Sequence, residues 1–374
     1  MLITDATGKI IDLVKTADAG DQVETFKGVL SPGFINAHCH LELSHLKNRI
    51  AEKTGLVNFV QQVMKQRNLL SELKQEAMII AETEMYNAGI VAVGDICNTA
   101  DSILIKKKSN VKWHNFIEVS GFADAGAAHR LNEMKIIYNK FKLENESQKT
   151  TYSPHAPYSV SKKLFQLLND ETAHQLTTIH NQECAAENEL YQNKSGDFLS
   201  LYNNFKIDIA SFNATSTTSL KSWLRYFTKG QSIISVHNTF TNTGDLAFAK
   251  EQLSGSNNQL FYCLCINANH YIEQKTPPIK LMIENNCQIV IGTDSMASNH
   301  QLNILEEIKA IEQATNYTIP LSEILQWATL NGAKALNFDE ELGSFEKGKK
   351  PGIVLIDDLN NLHTTKNSTA KRII

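Results

Sequence analysis

The sequence predicts a (β/α)8 TIM-type barrel, eight parallel β-strands wrapped by helices, with a small β-domain formed by both chain termini. Three observations support this. Short runs rich in Ile, Val, Phe and Thr alternate with amphipathic helical patterns along most of the chain, as expected of parallel strands buried on both faces. A length of 374 residues suits one such barrel with an appendage. The polar residues of chemical interest stand at the C-terminal ends of the runs, spread over the whole sequence, which favours a barrel over an open doubly wound sheet.

In chain order, Leu2–Val14 places β-prone residues around a Thr7-Gly8-Lys9 turn, and Gln22–Val29 is a weaker strand. Barrel strands are expected at Gly33–Ala37, Ile90–Asp95, Trp113–Ser120, Lys149–Ser153, Leu176–Ile179, Ile233–Val236, Gln259–Ile266 and Gln288–Gly292. The long periodic stretch Leu56–Asn87 predicts a helix, as do Ser161–Asn169, behind a serine cap, and Leu302–Thr315. Near the end, the turn Gly348-Lys349-Lys350-Pro351-Gly352 leads into a strand at Ile353-Val354-Leu355-Ile356. The expected division is a small β-domain of residues 1–30 and 342–374 beside a barrel of residues 31–341.

A composition of 42% hydrophobic and 20% charged residues describes an ordinary globular protein. The net charge of −4 gives no general reason to bind nucleic acid. Lys106-Lys107-Lys108, the densest basic run, reads as a solvated helix end or loop. No apolar stretch approaches the roughly 20 residues of a membrane span. The start Met1-Leu2-Ile3-Thr4-Asp5 lacks a basic segment followed by an apolar core, so a cytoplasmic protein is expected. The six cysteines show no C-x-x-C pairing. Cys39, Cys97, Cys263 and Cys287 read as buried thiols, and Cys263-Leu264-Cys265 lacks the second pair of a thiolate metal site.

The strongest chemical signal is Pro32-Gly33-Phe34-Ile35-Asn36-Ala37-His38-Cys39-His40. Side chains two apart on a strand share a face, so His38 and His40 project together. Further candidates stand at later run ends: His155, His180 with Glu183, His237 and Asp294. A single histidine at a strand end is more often structural, and an aspartate in Gly-Thr-Asp-Ser is commonly a cap. Their joint occurrence points to a metal centre at the barrel mouth. Three imidazoles and a carboxylate suit zinc or ferrous iron, with a position left open for water.

The stretches PGFINAHCHLELS (32–44), SPHAPYS (153–159), HNQE (180–183), VHNTF (236–240) and GTDSMASN (292–299) resemble the amidohydrolase superfamily, as do ATLNGAKAL (328–336) and GSFEKGKKPG (343–352). The resemblance is to its branch of metal-dependent deaminases, which includes guanine, S-adenosylhomocysteine and aminodeoxyfutalosine deaminases. It implies that His38, His40, His180 and Asp294 ligate one divalent metal, usually zinc, with iron as the other option. Glu183 is implied as proton shuttle, Asp294 as acceptor of a proton from the attacking water, and His237 as its neighbour. Glu42, in an H-x-H-L-E pattern, is implied to contact substrate, together with His155 and Tyr158. The implied reaction is hydrolytic release of ammonia from an amino-substituted heterocycle, first of all an adenosine-type nucleoside. Binuclear members carry a carboxylated lysine at the end of the fourth strand. Tyr152-Ser153-Pro154-His155 offers none, so one metal is expected.

Two departures from the family pattern stand out. Members usually carry further residues before a position like Leu2, so the small β-domain is expected to be short on that side. The seventh-strand segment often reads Cys-Pro-x-x-Asn, whereas Cys265-Ile266-Asn267-Ala268-Asn269 has no proline. The zinc cytidine deaminase pattern is excluded because no P-C-x-x-C occurs. The partners expected are a small-molecule substrate and a second copy in a homodimer, with neither nucleic acid nor membrane. Three alternatives stand beside the adenosine-type reading: guanine or another aminated ring, a chlorohydrolase-type substrate, and a non-catalytic metal-binding barrel. The presence of Glu183 and His237 weighs against the last.

Overall fold

Apolar side chains on both faces of a run drive it into the middle of a layered structure, where parallel pairing satisfies its backbone. The computed structural model describes residues 1–21, 23–68 and 71–374. Strands β1 (Leu2–Thr4) and β2 (Ile10–Leu13) form an antiparallel pair. Strand β3 (Val29–Pro32) lies in a second antiparallel sheet with segments from the other end of the chain. Then come β4 (Phe34–Cys39), β5 (Ile90–Cys97), β6 (Lys112–Val119) and β7 (Lys149–Pro154), a parallel sheet in that order. Strands β8 (Leu176–Asn181), β9 (Ser232–His237), β10 (Gln259–Leu264) and β11 (Gln288–Ile291) make its counterpart. Strands β12 (Ile353–Ile356) and β13 (Ala370–Arg372) complete the terminal sheet in the order β13-β12-β3. Every residue of β4 and β5 is buried.

The two four-stranded halves form the eight-stranded barrel, and they meet at two seams. At one, Thr177 Oγ1 donates to the Tyr152 carbonyl at 3.0 Å, and the His180 N–H donates to the His155 carbonyl at 3.0 Å. At the other, the first strand meets the last. The Thr293 and Asp294 N–H groups donate to the His38 carbonyl at 3.0 and 3.1 Å, and Cys39 bridges Asp294 in parallel register. The Asn36 amide closes this seam by donating to Thr293 Oγ1 at 2.7 Å and accepting from Thr293 N at 3.1 Å. This closure sets residues 38 and 294 side by side, although they are far apart in sequence.

Helices pack outside the strands on a core that includes Phe34, Trp113, Ile117, Phe165, Ile233 and Ile308. Those used below are α1 (Leu56–Gln66), α2 (Ser71–Asn87), α3 (Ile103–Lys108), α4 (Ala127–Glu144) and α5 (Lys162–Glu171). Ser161 caps α5 by accepting from the Leu164 N–H at 3.2 Å, an arrangement that contributes about 1 kcal/mol. Asn303 likewise caps the helix Ile304–Ala314. No helix among the described residues is long and apolar enough to cross a membrane.

Three sequence expectations need correction. The long helix expected over Leu56–Asn87 is two helices. Its residues 69 and 70 lie outside the described residues. α1 packs on Phe198–Asn204 and Ile266–Glu273, while α2 packs on β5 and the turn Leu41–Leu46, so one straight axis cannot serve both. The weak strand expected at Gln22–Val29 starts only at Val29, and its Gln22 lies outside the described residues. Finally, Lys106 is not solvated. It is fully buried, with its ammonium 2.5 Å from Asp95 Oδ2, and only Lys107 and Lys108 face solvent. Burial opposes its charge, but the Asp95 carboxylate beside it holds Lys106 above the usual lysine range.

Candidate metal centre and active site

Strand ends deliver the histidines. His38 is the penultimate residue of β4, His40 follows that strand directly, and His180 is the penultimate residue of β8. Asp294 follows β11 in a left-handed backbone conformation, φ +57°. Gly292 is required for this approach, since a Cβ there would come within 2.8 Å of both His38 Cβ and Cys263 Sγ. The Nε2 atom of His40 lies 3.2 Å from Nε2 of His38 and 3.2 Å from Nε2 of His180. Asp294 Oδ1 lies 3.4 Å from His38 Nε2 and 3.3 Å from His40 Nε2. Ligands about 2.0–2.1 Å from a central ion in a tetrahedral shell are separated by about 3.3 Å, so the four atoms fit a divalent metal such as zinc.

The surroundings fix the protonation this donor set requires. The His180 Nδ1–H donates to the His155 carbonyl at 2.7 Å, leaving Nε2 free to ligate. Burial pushes His40 down to about 3 and His180 well below the ordinary histidine range, so both imidazoles are neutral. Burial alone would raise Asp294, but the imidazoles of His38, His40 and His237 together hold it well below the usual carboxylate range. Ser298 Oγ donates to Asp294 Oδ2 and fixes the carboxylate's second oxygen.

Beside this cluster stand Glu183 and His237. Glu183 is buried, and its Oε1 is 3.7 Å from His237 Nε2. Burial, reinforced by Asp294 and Glu187, raises its carboxyl well above the ordinary range, so it is poised to hold a proton. His237 Nδ1 is 2.8 Å from Asn269 Oδ1, an acceptor, which assigns the proton to Nδ1 and turns a bare Nε2 toward the site. Burial lowers His237 to about 4.

The backbone that presents Glu183 is clamped. Gln182 has φ +47°, its N–H donates to Glu187 Oε1 at 2.7 Å, and its side chain donates to Asp245 Oδ2 at 2.9 Å. His237 and Asn238 are also left-handed, at φ +71° and +55°. Non-glycine residues hold such conformations only when their surroundings over-determine them.

A cavity of about 580 Å³ opens over these groups. Its inner wall is polar, with His40, Glu118, His155, Glu183, His237 and Asp294. Its outer wall is apolar, including Leu56, Phe59, Val60 and Val63 of α1 together with Phe122 and Phe205. His155 and Tyr158 both line it, with rings edge to face at 5.6 Å.

Glu42 lines the cavity too, but its carboxylate is engaged by protein donors. Arg67 donates to Oε1 at 3.1 Å, and the Asn98 N–H, Thr99 N–H and Thr99 hydroxyl donate to Oε2 at 3.0–3.2 Å. Glu42 thus presents Arg67 to the cavity rather than a free carboxylate.

Sequence reasoning missed several residues here. Asn269 and Ser298 orient His237 and Asp294. Glu118, at the end of β6, keeps one buried oxygen without a hydrogen-bond partner. Its strand-end position was the signal that could have found it.

The amidohydrolase family profile matches residues 29–374. The chain is 28% identical over 351 residues to a 5-methylthioadenosine/S-adenosylhomocysteine deaminase of Thermoanaerobacter pseudethanolicus, covering 90% of this chain and 74% of that one. Among solved structures, Helicobacter pylori aminofutalosine deaminase in complex with methylthio-coformycin superposes with a TM-score of 0.78 at 24% identity, covering 100% of this chain and 94% of that one. A zinc-bound adenosine deaminase from Xanthomonas campestris gives a TM-score of 0.71 at 21% identity, covering 94% of this chain and 79% of that one. These two structural likenesses show the fold.

Proposed function

The chain belongs to the amidohydrolase family, and on that premise we propose that it hydrolyses a ring carbon–nitrogen bond, releasing ammonia from an adenosine-type nucleoside. One observation carries the reading. Four ligand atoms, all within 4.8 Å of one another, adjoin the buried carboxyl of Glu183, 3.7 Å from His237, at the floor of a cavity with room for a nucleoside. His38, His40, His180 and Asp294 would hold one zinc ion. Such an ion lowers the pKa of water towards 7 and so makes hydroxide available at neutral pH.

The protein's own groups do the rest. Asp294 takes the proton of the attacking water as its oxygen adds to the carbon bearing the amino group. Glu183, kept protonated by burial, protonates the adjacent ring nitrogen, so that no charge accumulates there. His237, with Nε2 unprotonated, accepts from and aims the incoming oxygen. The proton on Asp294 then passes through Glu183 to the amino group, and as the carbon–nitrogen bond breaks the added oxygen gives its remaining proton back to Glu183, leaving a ring carbonyl and ammonia. His155 and Tyr158 face the substrate above the fourth barrel strand, and Glu42 contributes through the Arg67 it anchors.

The test is a panel of aminopurines and their nucleosides offered to metal-loaded protein, with ammonia release as readout. Turnover of adenosine-type nucleosides supports the reading. Turnover of guanine or a triazine alone would move the substrate class. Turnover of none would remove the deaminase assignment.

A further inference from the structure

Lys106 and Asp95 form a buried ion pair, and its placement gives it a task. Both side chains are completely buried, and Nζ also donates to Asn115 Oδ1 at 2.8 Å and lies 3.2 Å from Cys97 Sγ. The ammonium sits between the rings of Trp113 and Phe141, at 5.1 and 5.2 Å from their centroids. A charged pair enclosed this way is a poor source of net stability compared with apolar side chains of the same volume. Asp95 has a second contact: its Oδ1 accepts from the Leu41 N–H at 2.7 Å. Leu41 directly follows His40, and the backbone of Asp95 pairs with Cys39, between the two histidines.

We propose that the Asp95–Lys106 pair is a positioning device for the metal site. It fixes the chain immediately after His38-Cys39-His40 so that both imidazoles converge on the ion. This rests on the metal-ligand reading above.

Lys106 keeps Asp95 compensated in a dry environment, and Asp95 spends its other oxygen on the one backbone donor that starts the turn Leu41–Leu46. The next residue, Glu42, ties the same turn to the Asn98 and Thr99 backbone. The exit of β5 thus grips the turn at two consecutive residues. Partners one step behind metal ligands typically change affinity or activity about 10–100-fold when removed.

The test measures zinc affinity against a chromophoric chelator, and the absorption spectrum of the cobalt-substituted protein, in Asp95→Leu, which removes the acceptor of the Leu41 N–H, in Lys106→Gln and in the double variant D95L/K106M. The double variant leaves no orphaned charge, so it is the one that stays folded if a single variant does not. Phe141→Leu is the control, loosening packing around the ammonium without touching the Asp95–Leu41 contact. The expected result is a loss of zinc affinity of about tenfold or more in the Asp95 and Lys106 variants, with an altered cobalt spectrum. Phe141→Leu should lower the melting temperature and leave both readouts unchanged.

Zinc affinity within twofold of wild type in the folded double variant, or an equal loss in Phe141→Leu, would overturn the proposal. If wild-type protein itself binds no zinc, the ligand reading fails instead.

Discussion

The Nδ1–H of His180 donates to the backbone carbonyl of His155 at 2.7 Å. That bond leaves the other nitrogen 3.2 Å from His40 Nε2, and it is this nitrogen that the proposed function assigns to the metal. His180→Ala should therefore lose metal and activity together, with metal content by elemental analysis well below one ion per chain. Full metal retention in this variant would remove His180 from the ligand set.

Glu183 has the opposite signature. It is not among the four clustered ligand residues, and burial raises its carboxyl well above the ordinary range. Glu183→Gln preserves its shape, so metal content should match wild type while turnover falls by about 10²-fold or more. Wild-type ammonia release from this variant would show that the proton travels another way.

His237 depends on Asn269. Without the acceptor at 2.8 Å, the proton can move to Nε2, the nitrogen facing the site. Asn269→Leu should keep its metal and lose about tenfold or more in kcat. Asn269→Asp, which retains an acceptor, should recover part of it. Equal kcat in all three proteins would contradict the assigned role.

Glu187 offers a test through pH. Burial raises its carboxyl from 4.5 to about 7 in the folded protein, above its unfolded value. Its contribution is therefore fully present below about pH 4.5 and is lost as the pH rises through about 7. The difference amounts to about 3 kcal/mol. Urea unfolding of metal-free protein at pH 5 and pH 8 should show wild type losing more stability than Glu187→Gln across that interval. Parallel behaviour of the two would mean that Glu187 ionises normally in the fold.

Much of this site was legible in the sequence because its chemistry sits at strand ends. His38-Cys39-His40, His180 and Asp294 each follow an apolar run, and alternation on a strand fixes which residues share a face. The eight strands were legible for the same reason. Other residues were hidden by their separation in sequence. Lys106 belongs to a run of three lysines that looks like surface, and only the fold shows that it reaches back to Asp95. Asn269 lies 32 residues beyond the histidine it orients. Glu42 was legible as a site residue, but its four donors come from segments whose proximity no local pattern encodes. The break between α1 and α2 was hidden because apolar residues continue at helical spacing on both sides of it.

The central claim is that one ion in the cluster of His38, His40, His180 and Asp294 enables hydrolytic deamination. Stepwise zinc addition to metal-free protein, with ammonia release from an adenosine-type nucleoside followed at each step, tests it most directly. Activity should rise from near zero and saturate at one equivalent of zinc per chain. Undiminished activity without metal, or saturation only at two equivalents, would contradict it.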